Sequence, residues 1–248
     1  MFTKRETILG GLLTIVTGPR FSHSHAQTSD IHGCMLPGSV ARSYLGNLSE
    51  QLRLPERLIS RSGNSGFDYA LAQTLSRLTD TFRVLPGFAF FNVGTSHQAY
   101  ATAEVLLTNP DGTVLLGRDL LFELLAELEH PDAAVAAVAA HEFGHIVQYK
   151  NGLVLHRNQS TVKRTELHAD FLAGYYAGIR KLSKQDFPAA VFATTQEKVG
   201  DYAFTDRNHH GRPDERAAAI VRGFEVAYRE RRELSEAIQI GINYVSAG

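Results

Sequence analysis

The spacing of hydrophobic residues predicts helices over much of the chain. Between residues 67 and 82, apolar side chains recur three and four positions apart, which is typical of a helix with one buried stripe. Residues 133–149 are apolar over most of their first half, which indicates a helix buried on several sides. Further helices are predicted over residues 119–128, 162–181 and 214–233, with a short one in the last dozen residues. Residues 185–211 are expected to form a long loop with some helix.

A stretch in the first half of the chain has the composition of a β-sheet. Residues 88–93 and 99–107 are rich in aromatic and β-branched side chains, as strands are. The Asn-Pro-Asp-Gly sequence at residues 109–112 is typical of a turn, so residues 104–107 and 113–116 are expected to form a hairpin. Strands grouped between helices predict an α+β fold. It should be mainly helical, with a small antiparallel or mixed sheet packed on the helix at residues 133–149.

Length and composition favour a globular domain with a short extension. The chain has 248 residues, of which 44% are hydrophobic and 21% are charged, as in soluble globular proteins. The formal net charge of −1 argues against nucleic acid as a main partner, because there is no basic surplus to neutralise phosphates. The single cysteine, Cys34, excludes an internal disulfide and a cysteine-based zinc site.

The N-terminus has the features of an export signal. Lys4 and Arg5 precede an apolar run at residues 8–17, and Ala26 is a small residue suited to cleavage by a signal peptidase. This run is too short to span a bilayer, which needs about 20 apolar residues, so no membrane span is expected after cleavage. We predict a signal peptide over residues 1–26, of twin-arginine or general secretory type. An arm over residues 27–60 and a domain over residues 61–248 would follow, in a periplasmic or secreted protein.

The sequence His-Glu-Phe-Gly-His at residues 141–145 carries the strongest chemical signal. His141 and His145 are four residues apart in a predicted helix, so their side chains lie on one face. Two neutral imidazoles placed in this way can bind one zinc ion, Zn²⁺. Glu142 is placed to act as the general base on a water activated by the ion, and then to pass the proton to the leaving amine.

A solvated helix face is the simplest alternative explanation of the motif. The apolar sequence that precedes it argues against this alternative. Two histidines and a glutamate on a buried helix face would be costly to desolvate unless they had polar partners. A metal ion is the simplest partner for all three side chains.

A third zinc ligand is expected from the helix predicted at residues 162–181. Glu166 and Asp170 are four residues apart, so Glu166 can bind the metal while Asp170 accepts a hydrogen bond from a ligand histidine. His168 is the alternative third ligand. It lies about 200° around the helix from Glu166, so the two cannot face one metal. Glu166 is favoured because only this choice gives Asp170 a role.

The stretches HEFGHIVQ and ELHADFLAG resemble the gluzincins, the thermolysin-like clan with an HExxH helix and a Glu-xxx-Asp helix. More narrowly, they resemble the neutral zinc metallopeptidases and the HtpX-like and CAAX-prenyl-protease-type peptidases. AYATAEVLLTNPDGTVLLGRDLL is similar to the strand region of those enzymes, and NHHGRPDERAAAIVRGFEVAY to their His-Gly segment and arginine-containing helix. The resemblance covers about residues 85–230. Relatives of the CAAX-protease type carry transmembrane helices that this chain is not expected to have, so prenylated membrane substrates are not implied.

The resemblance implies an exported zinc metalloendopeptidase that acts on peptides or proteins. It implies that the substrate peptide adds to an edge strand beside the zinc helix, for which residues 113–116 are the candidate. It also implies a hydrogen-bond donor that stabilises the oxyanion. His210 is the first candidate for this donor, and the others are Tyr175, Tyr176, Tyr202 and His209.

Two other functional classes stay open at this point. One is a zinc-binding pseudo-protease without turnover that acts as an interaction module. The other is a helical structural protein in which the motif arises by chance. The glutamate at position 142 speaks against the pseudo-protease, because binding a metal does not require that residue.

Overall fold

The structure is a computed structural model of the chain, and it describes residues 35–36, 58–92, 98–127, 129–157, 159–198 and 200–247. The predicted signal peptide over residues 1–26 and Cys34 lie outside the described residues. The described chain is mainly helical with one small mixed sheet, which confirms the predicted α+β class.

Seven helices and five strands make up the described part of the chain. The helices are α1 (Ser65–Phe82), α2 (Arg118–Leu125), α3 (Pro131–Lys150), α4 (Lys163–Ser183), α5 (Ala190–Lys198), α6 (Pro213–Tyr228) and α7 (Leu234–Ala247). The strands are β1 (Met35–Leu36), β2 (Leu58–Ile59), β3 (Gly87–Phe91), β4 (Ala99–Thr102) and β5 (Thr113–Gly117). Each predicted helix is present, and the long loop predicted at residues 185–211 contains α5. None of these seven helices is both long enough and apolar enough to cross a membrane.

The prediction that residues 113–116 form an edge strand is wrong. The strand order is β1-β4-β5-β3-β2, so β5 lies in the centre of the sheet. It pairs in parallel with β3 on one side and antiparallel with β4 on the other. All five residues of β5 are buried, and a continuous buried run of this kind is typical of a central strand. A peptide can therefore not add to β5.

The predicted hairpin exists, but its first strand is shorter and earlier than expected. The last pair of β4 and β5 before the turn is Thr102 opposite Thr113, so residues 103–112 form the connection. Residues 104–107 are therefore not a strand. The Thr113 hydroxyl donates to the Glu104 carbonyl at 2.8 Å and accepts from the Leu106 amide at 3.0 Å. These two bonds fold residues 104–106 back on β5. Gly112 has φ +91°, and a Cβ there would lie 2.2 Å from the Thr102 carbonyl oxygen, so the turn requires glycine.

The two outer strands of the sheet come from the segment predicted to be an N-terminal arm. β2 pairs antiparallel with β3, and β1 pairs in parallel with β4. The register of β1 places Met35 opposite Ala101 and Leu36 opposite Thr102. β4 also packs against α3. Within the described part of the chain, two residues pair with the outer edge of β4.

Glycine residues allow α4 to pack closely against two other helices. Gly144 of α3 faces Ala169 of α4, where an added Cβ would lie 3.0 Å from the Ala169 Cα. α4 and α6 approach more closely still, because Gly223 of α6 lies directly on the Phe171 carbonyl of α4. These contacts fix the separation of the helices and bring one face of α3 opposite the first turns of α4.

Substituting Gly223 by alanine should destabilise the fold. The added Cβ would lie 1.8 Å from the Phe171 carbonyl oxygen, a backbone atom that cannot move unless α4 shifts. Overpacking of this kind costs about 1–3 kcal/mol of unfolding free energy, which urea denaturation measures. Gly66→Ala is the matched control, because the nearest atom to its Cβ is a side-chain oxygen at 3.4 Å. Equal unfolding midpoints for the two variants would contradict the close contact of α4 with α6.

Candidate metal centre

Three side chains converge between α3 and α4. His141, His145 and Glu166 are buried, and each offers a ligand atom that lies within 4.8 Å of the other two. The two Nε2 atoms are 3.1 Å apart, and Glu166 Oε2 lies 3.3 Å from His141 Nε2 and 3.6 Å from His145 Nε2. Ligand atoms at about 2.0–2.1 Å from a tetrahedral ion lie roughly 3.3–3.4 Å from each other, so these distances suit one ion. The group can therefore bind a metal ion.

The Glu166 carboxylate has no hydrogen bond to compensate its burial. It is fully buried, and neither of its oxygens has a hydrogen-bond partner among the residues that the structure describes. Burial alone would raise the pKa of Glu166, but the imidazoles of His145 and His141 hold it well below its usual value. An ionised carboxylate in this position needs a positive charge beside it. A proton on the histidines or a bound cation supplies that charge.

Asp170 lies where the sequence predicted it, behind His141. His141 Nδ1 is 2.8 Å from Asp170 Oδ1, and Arg216 of α6 donates to both Asp170 oxygens at 2.8 and 2.9 Å. Burial would raise the pKa of Asp170, and the Arg216 guanidinium lowers it below its usual value. Because the ionised carboxylate can only accept, Nδ1 of His141 carries a proton, and in the neutral ring Nε2 then has a lone pair for a metal.

His145 is held by an uncharged side chain instead. Its Nδ1 lies 2.9 Å from Gln148 Oε1, one turn further along α3. His168, the alternative third ligand, is not part of the group that can bind the ion. Its Nδ1 lies 3.0 Å from Gln148 Nε2, and burial lowers the pKa of His168 to about 4, so the ring is neutral. Of the two candidate ligands on α4, the structure brings only Glu166 to both histidines.

Glu142 is buried beside the ligand histidines on α3. A charge on Glu142 affects the pKa of Tyr149. Burial raises the pKa of Tyr149, and the carboxylates of Glu142 and Glu166 raise it further. The Tyr149 hydroxyl donates to the Ala101 carbonyl of β4 at 3.4 Å. Tyr149 thus joins α3, the helix that carries Glu142, to β4.

The loop between α5 and α6 carries His210, and Asp201 organises that loop. The Asp201 carboxylate accepts from the backbone amides of His210 at 3.0 Å and Ala203 at 2.8 Å, and it contacts the His209 ring. A charge on His210 is the smallest of the contributions that lower the pKa of Glu166. His209 is instead buried against Asp201.

The three tyrosines considered as oxyanion donors have other positions. The Tyr175 hydroxyl donates to the Arg232 carbonyl at 2.9 Å, and Tyr176 is buried in the core. Tyr202 is 67% exposed in the loop before α6. The structure therefore gives Tyr175 and Tyr176 structural contacts.

Several residues at the site were not singled out from the sequence. Gln148 lies three residues after His145, so helical spacing alone would have placed it on the same face. Arg216 had no such signal, because it lies 46 residues beyond Asp170 and meets it only through the packing of α6 on α4. Arg216 also donates to Gln196 of α5 at 2.9 Å, which links three helices behind His141.

No match was found when the chain was compared with protein-family profiles, with curated proteins and with solved structures. The motifs and the geometry of the buried group therefore carry the functional interpretation. The resemblance to gluzincins stays a prediction from the sequence.

Stability should fall in acid partly because of Asp201. Burial raises the pKa of Asp201, but hydrogen bonds from His209 and from the His210 amide lower it to about 2, against an ordinary value of 3.8. A depressed folded pKa stabilises the protein above the unfolded pKa, and this stabilisation is lost as pH falls towards the folded value. Asp201→Asn should therefore lower the unfolding free energy by about 1 kcal/mol at pH 7. The deficit should shrink below about pH 4.

Urea denaturation from pH 7 to pH 3 measures this difference. Asp186→Asn is the control, because the Asp186 side chain is 79% exposed and only 3.8 Å from Lys184 Nζ. A deficit of Asp201→Asn that stays constant down to pH 3 would show that the Asp201 charge does not hold the loop.

Proposed function

We propose that the protein is a zinc-dependent metalloendopeptidase of gluzincin type that is exported to the periplasm or secreted. The observation that carries the proposal is the buried group of His141, His145 and Glu166, with Glu142 on the same helix. A zinc ion held by these three ligands would polarise a peptide carbonyl and lower the pKa of a water molecule to about 7. The substrate is a peptide or protein.

The donor set favours zinc over the common hard cations. Two imidazole nitrogens and one carboxylate oxygen suit Zn²⁺, whereas Ca²⁺ and Mg²⁺ take mainly oxygen ligands. Three protein ligands leave a fourth tetrahedral position for water or substrate, as a catalytic site requires. A closed site with four protein ligands would instead indicate a structural role.

Glu142 is the proposed proton carrier. Its carboxylate accepts a proton from the attacking water and later donates it to the nitrogen of the leaving amine. Burial keeps this proton away from bulk solvent between the two steps. The position of Glu142, directly after His141 on α3, keeps the carboxylate beside the metal ligands rather than among them.

The remaining residues prepare the site before the substrate binds. Asp170, fixed by Arg216, orients His141, and Gln148 orients His145. Ligands that are already oriented need no rearrangement during the reaction, which is how a preorganised site lowers the barrier. His210 is the proposed oxyanion donor. Its Nδ1 lies 3.5 Å from Asp201, so Nε2 is the atom proposed to donate to the substrate.

The substrate is proposed to add as a strand to β4 rather than to β5. β4 packs on α3, and the bond from Tyr149 to Ala101 joins them near Glu142. Among the residues that the structure describes, the outer edge of β4 is paired with the two residues of β1. An extended peptide along β4 would therefore replace β1 or continue past it. Main-chain hydrogen bonds would give affinity, and pockets for alternate side chains would give specificity.

Substituting Glu142 by glutamine should abolish hydrolysis but preserve metal binding. Glutamine has the same shape and cannot accept the proton from water, so kcat should fall by about 10²–10⁴-fold. The test combines a casein or peptide-library digest with metal analysis, which should find about one zinc per chain in both proteins. Glu197→Gln, on the exposed face of α5, is the control.

The same experiment separates the proposal from its main alternative. If wild-type protein binds zinc but digests nothing in a chelator-sensitive way, the pseudo-protease replaces the peptidase. If Glu142→Gln cleaves at the wild-type rate, the role assigned to Glu142 is wrong.

Substituting His210 by alanine should lower kcat with little change in zinc content. Loss of one oxyanion donor costs about 10²–10³-fold in kcat. Steady-state kinetics on one peptide substrate measure the effect, with Tyr202→Phe as a control on the same loop. A normal kcat for His210→Ala would remove His210 from the mechanism.

A further inference from the structure

A chain of hydrogen bonds runs from His145 through two buried side chains to the last helix. Gln148 Oε1 lies 2.9 Å from His145 Nδ1, and Gln148 Nε2 lies 3.0 Å from His168 Nδ1. Gln148 Nε2 also donates to the Thr165 carbonyl at 2.8 Å. The far nitrogen of His168, Nε2, lies 3.3 Å from the Ile238 carbonyl of α7. Gln148 and His168 are fully buried, so solvent does not compete for the three bonds of Gln148.

Two backbone carbonyls fix the direction of every bond in this chain. A carbonyl only accepts, so the Gln148 group that faces Thr165 must be the amide NH₂, which turns Oε1 towards His145. Since Oε1 only accepts, Nδ1 of His145 must carry the proton. The second Gln148 hydrogen points at His168 Nδ1, which must then accept, and His168 Nε2 donates to Ile238. With the proton of His145 on Nδ1, Nε2 has the lone pair that a metal needs.

α7 packs directly on His168, where this chain of hydrogen bonds ends. Gly241 lies against His168, where an added Cβ would be 3.0 Å from Cδ2 and 3.1 Å from Nε2 of the ring. The same Cβ would lie 2.8 Å from the Phe171 ring. Gly241 thus lets α7 pack closely on His168. One turn earlier in α7, the Ile238 carbonyl accepts the hydrogen bond from His168. The C-terminal helix therefore determines where the His168 ring lies.

We propose that Gln148 and His168 are positioning residues that lock His145 in the tautomer able to bind the metal, and that α7 supports this lock. The proposal rests on the metal-binding part of the proposed function and not on hydrolysis. The two ligand histidines then have hydrogen-bond partners of different charge. His141 is backed by the ionised Asp170–Arg216 pair, and His145 by a chain of neutral groups. His168 thereby acts on the metal site without being a ligand.

Four variants test the lock. Gln148→Met removes both polar atoms at nearly constant length. His168→Leu removes the acceptor for Gln148, and His168→Asn keeps an acceptor near the position of Nδ1. Gln239→Leu is the matched control, because Gln239 is an exposed glutamine on α7.

Two readouts distinguish positioning from simple destabilisation. Nitrogen NMR of imidazole-labelled, zinc-free protein near pH 8 reports which nitrogen of His145 carries the proton. Competition with a chelator of known affinity reports zinc binding. We expect wild-type His145 to be protonated at Nδ1, and Gln148→Met to show a mixture of tautomers and about 10–100-fold weaker zinc binding. His168→Leu should show a smaller loss in the same direction, and His168→Asn should recover most of it.

The proposal is overturned if Gln148→Met and His168→Leu bind zinc as tightly as wild type with an unchanged His145 spectrum. It is also overturned if His168→Asn binds zinc no better than His168→Leu. Should the Gln148→Met and His168→Leu variants not fold, Gly241→Ala decides. Its methyl group would crowd the Phe171 and His168 rings without removing a polar atom, and zinc binding equal to that of wild type would refute the role of α7. Absence of peptidase activity in a wild-type protein with the expected tautomer and affinity would refute hydrolysis alone.

Discussion

The organisation of this protein depends on an ionised carboxylate buried between two helices. Glu166 is fully buried and lies 3.3 Å from His141 and 3.6 Å from His145, and no residue that the structure describes donates a hydrogen bond to either oxygen. An isolated buried charge would cost several kcal/mol, on the order of the whole stability of a domain. A cation at the meeting point of the three side chains would offset this cost.

The balance of charge in the same region is consistent with a divalent ion. When all are ionised, the buried carboxylates of Glu142, Glu166 and Asp170 carry three negative charges, and the buried guanidinium of Arg216 carries one positive charge. A divalent cation balances the remaining two. Burial excludes water from between these charges, so each charge acts strongly on its neighbours. The lowered pKa values of Glu166 and Asp170 are consistent with this. The electrostatic requirement and the ligand geometry therefore favour the same occupant.

Much of the site follows from local sequence. Helical spacing places His141 beside His145, and Glu166 beside Asp170, because residues four apart share a face whatever the fold. The approach of α3 to α4 depends on the small residues Gly144 and Ala169. The two motifs can form one metal site only if α3 and α4 are in contact. The motifs therefore predicted this helix contact, which the spacing of hydrophobic residues alone could not.

Other features depend on tertiary packing and could not be predicted from the sequence. Arg216 reaches Asp170 because α6 packs on α4, and no spacing links the two residues. The central position of β5 depends on its pairing with β3, which precedes it in the chain by a loop and another strand. The role of His168 was also hidden, because its contacts come from α3 and α7 rather than from its own helix. Spacing therefore predicts the supporting residues that share a helix with a ligand, such as Gln148, but not those that reach the site from another helix, such as Arg216.

The most direct test of the account is X-ray absorption at the zinc edge on protein loaded with one equivalent of zinc. The account predicts a four-coordinate ion with two imidazole nitrogens and light oxygen ligands, all at about 2.0–2.1 Å, and loss of one protein ligand in Glu166→Ala. A shell of oxygen ligands without imidazole, or the same spectrum for Glu166→Ala as for wild type, would contradict it.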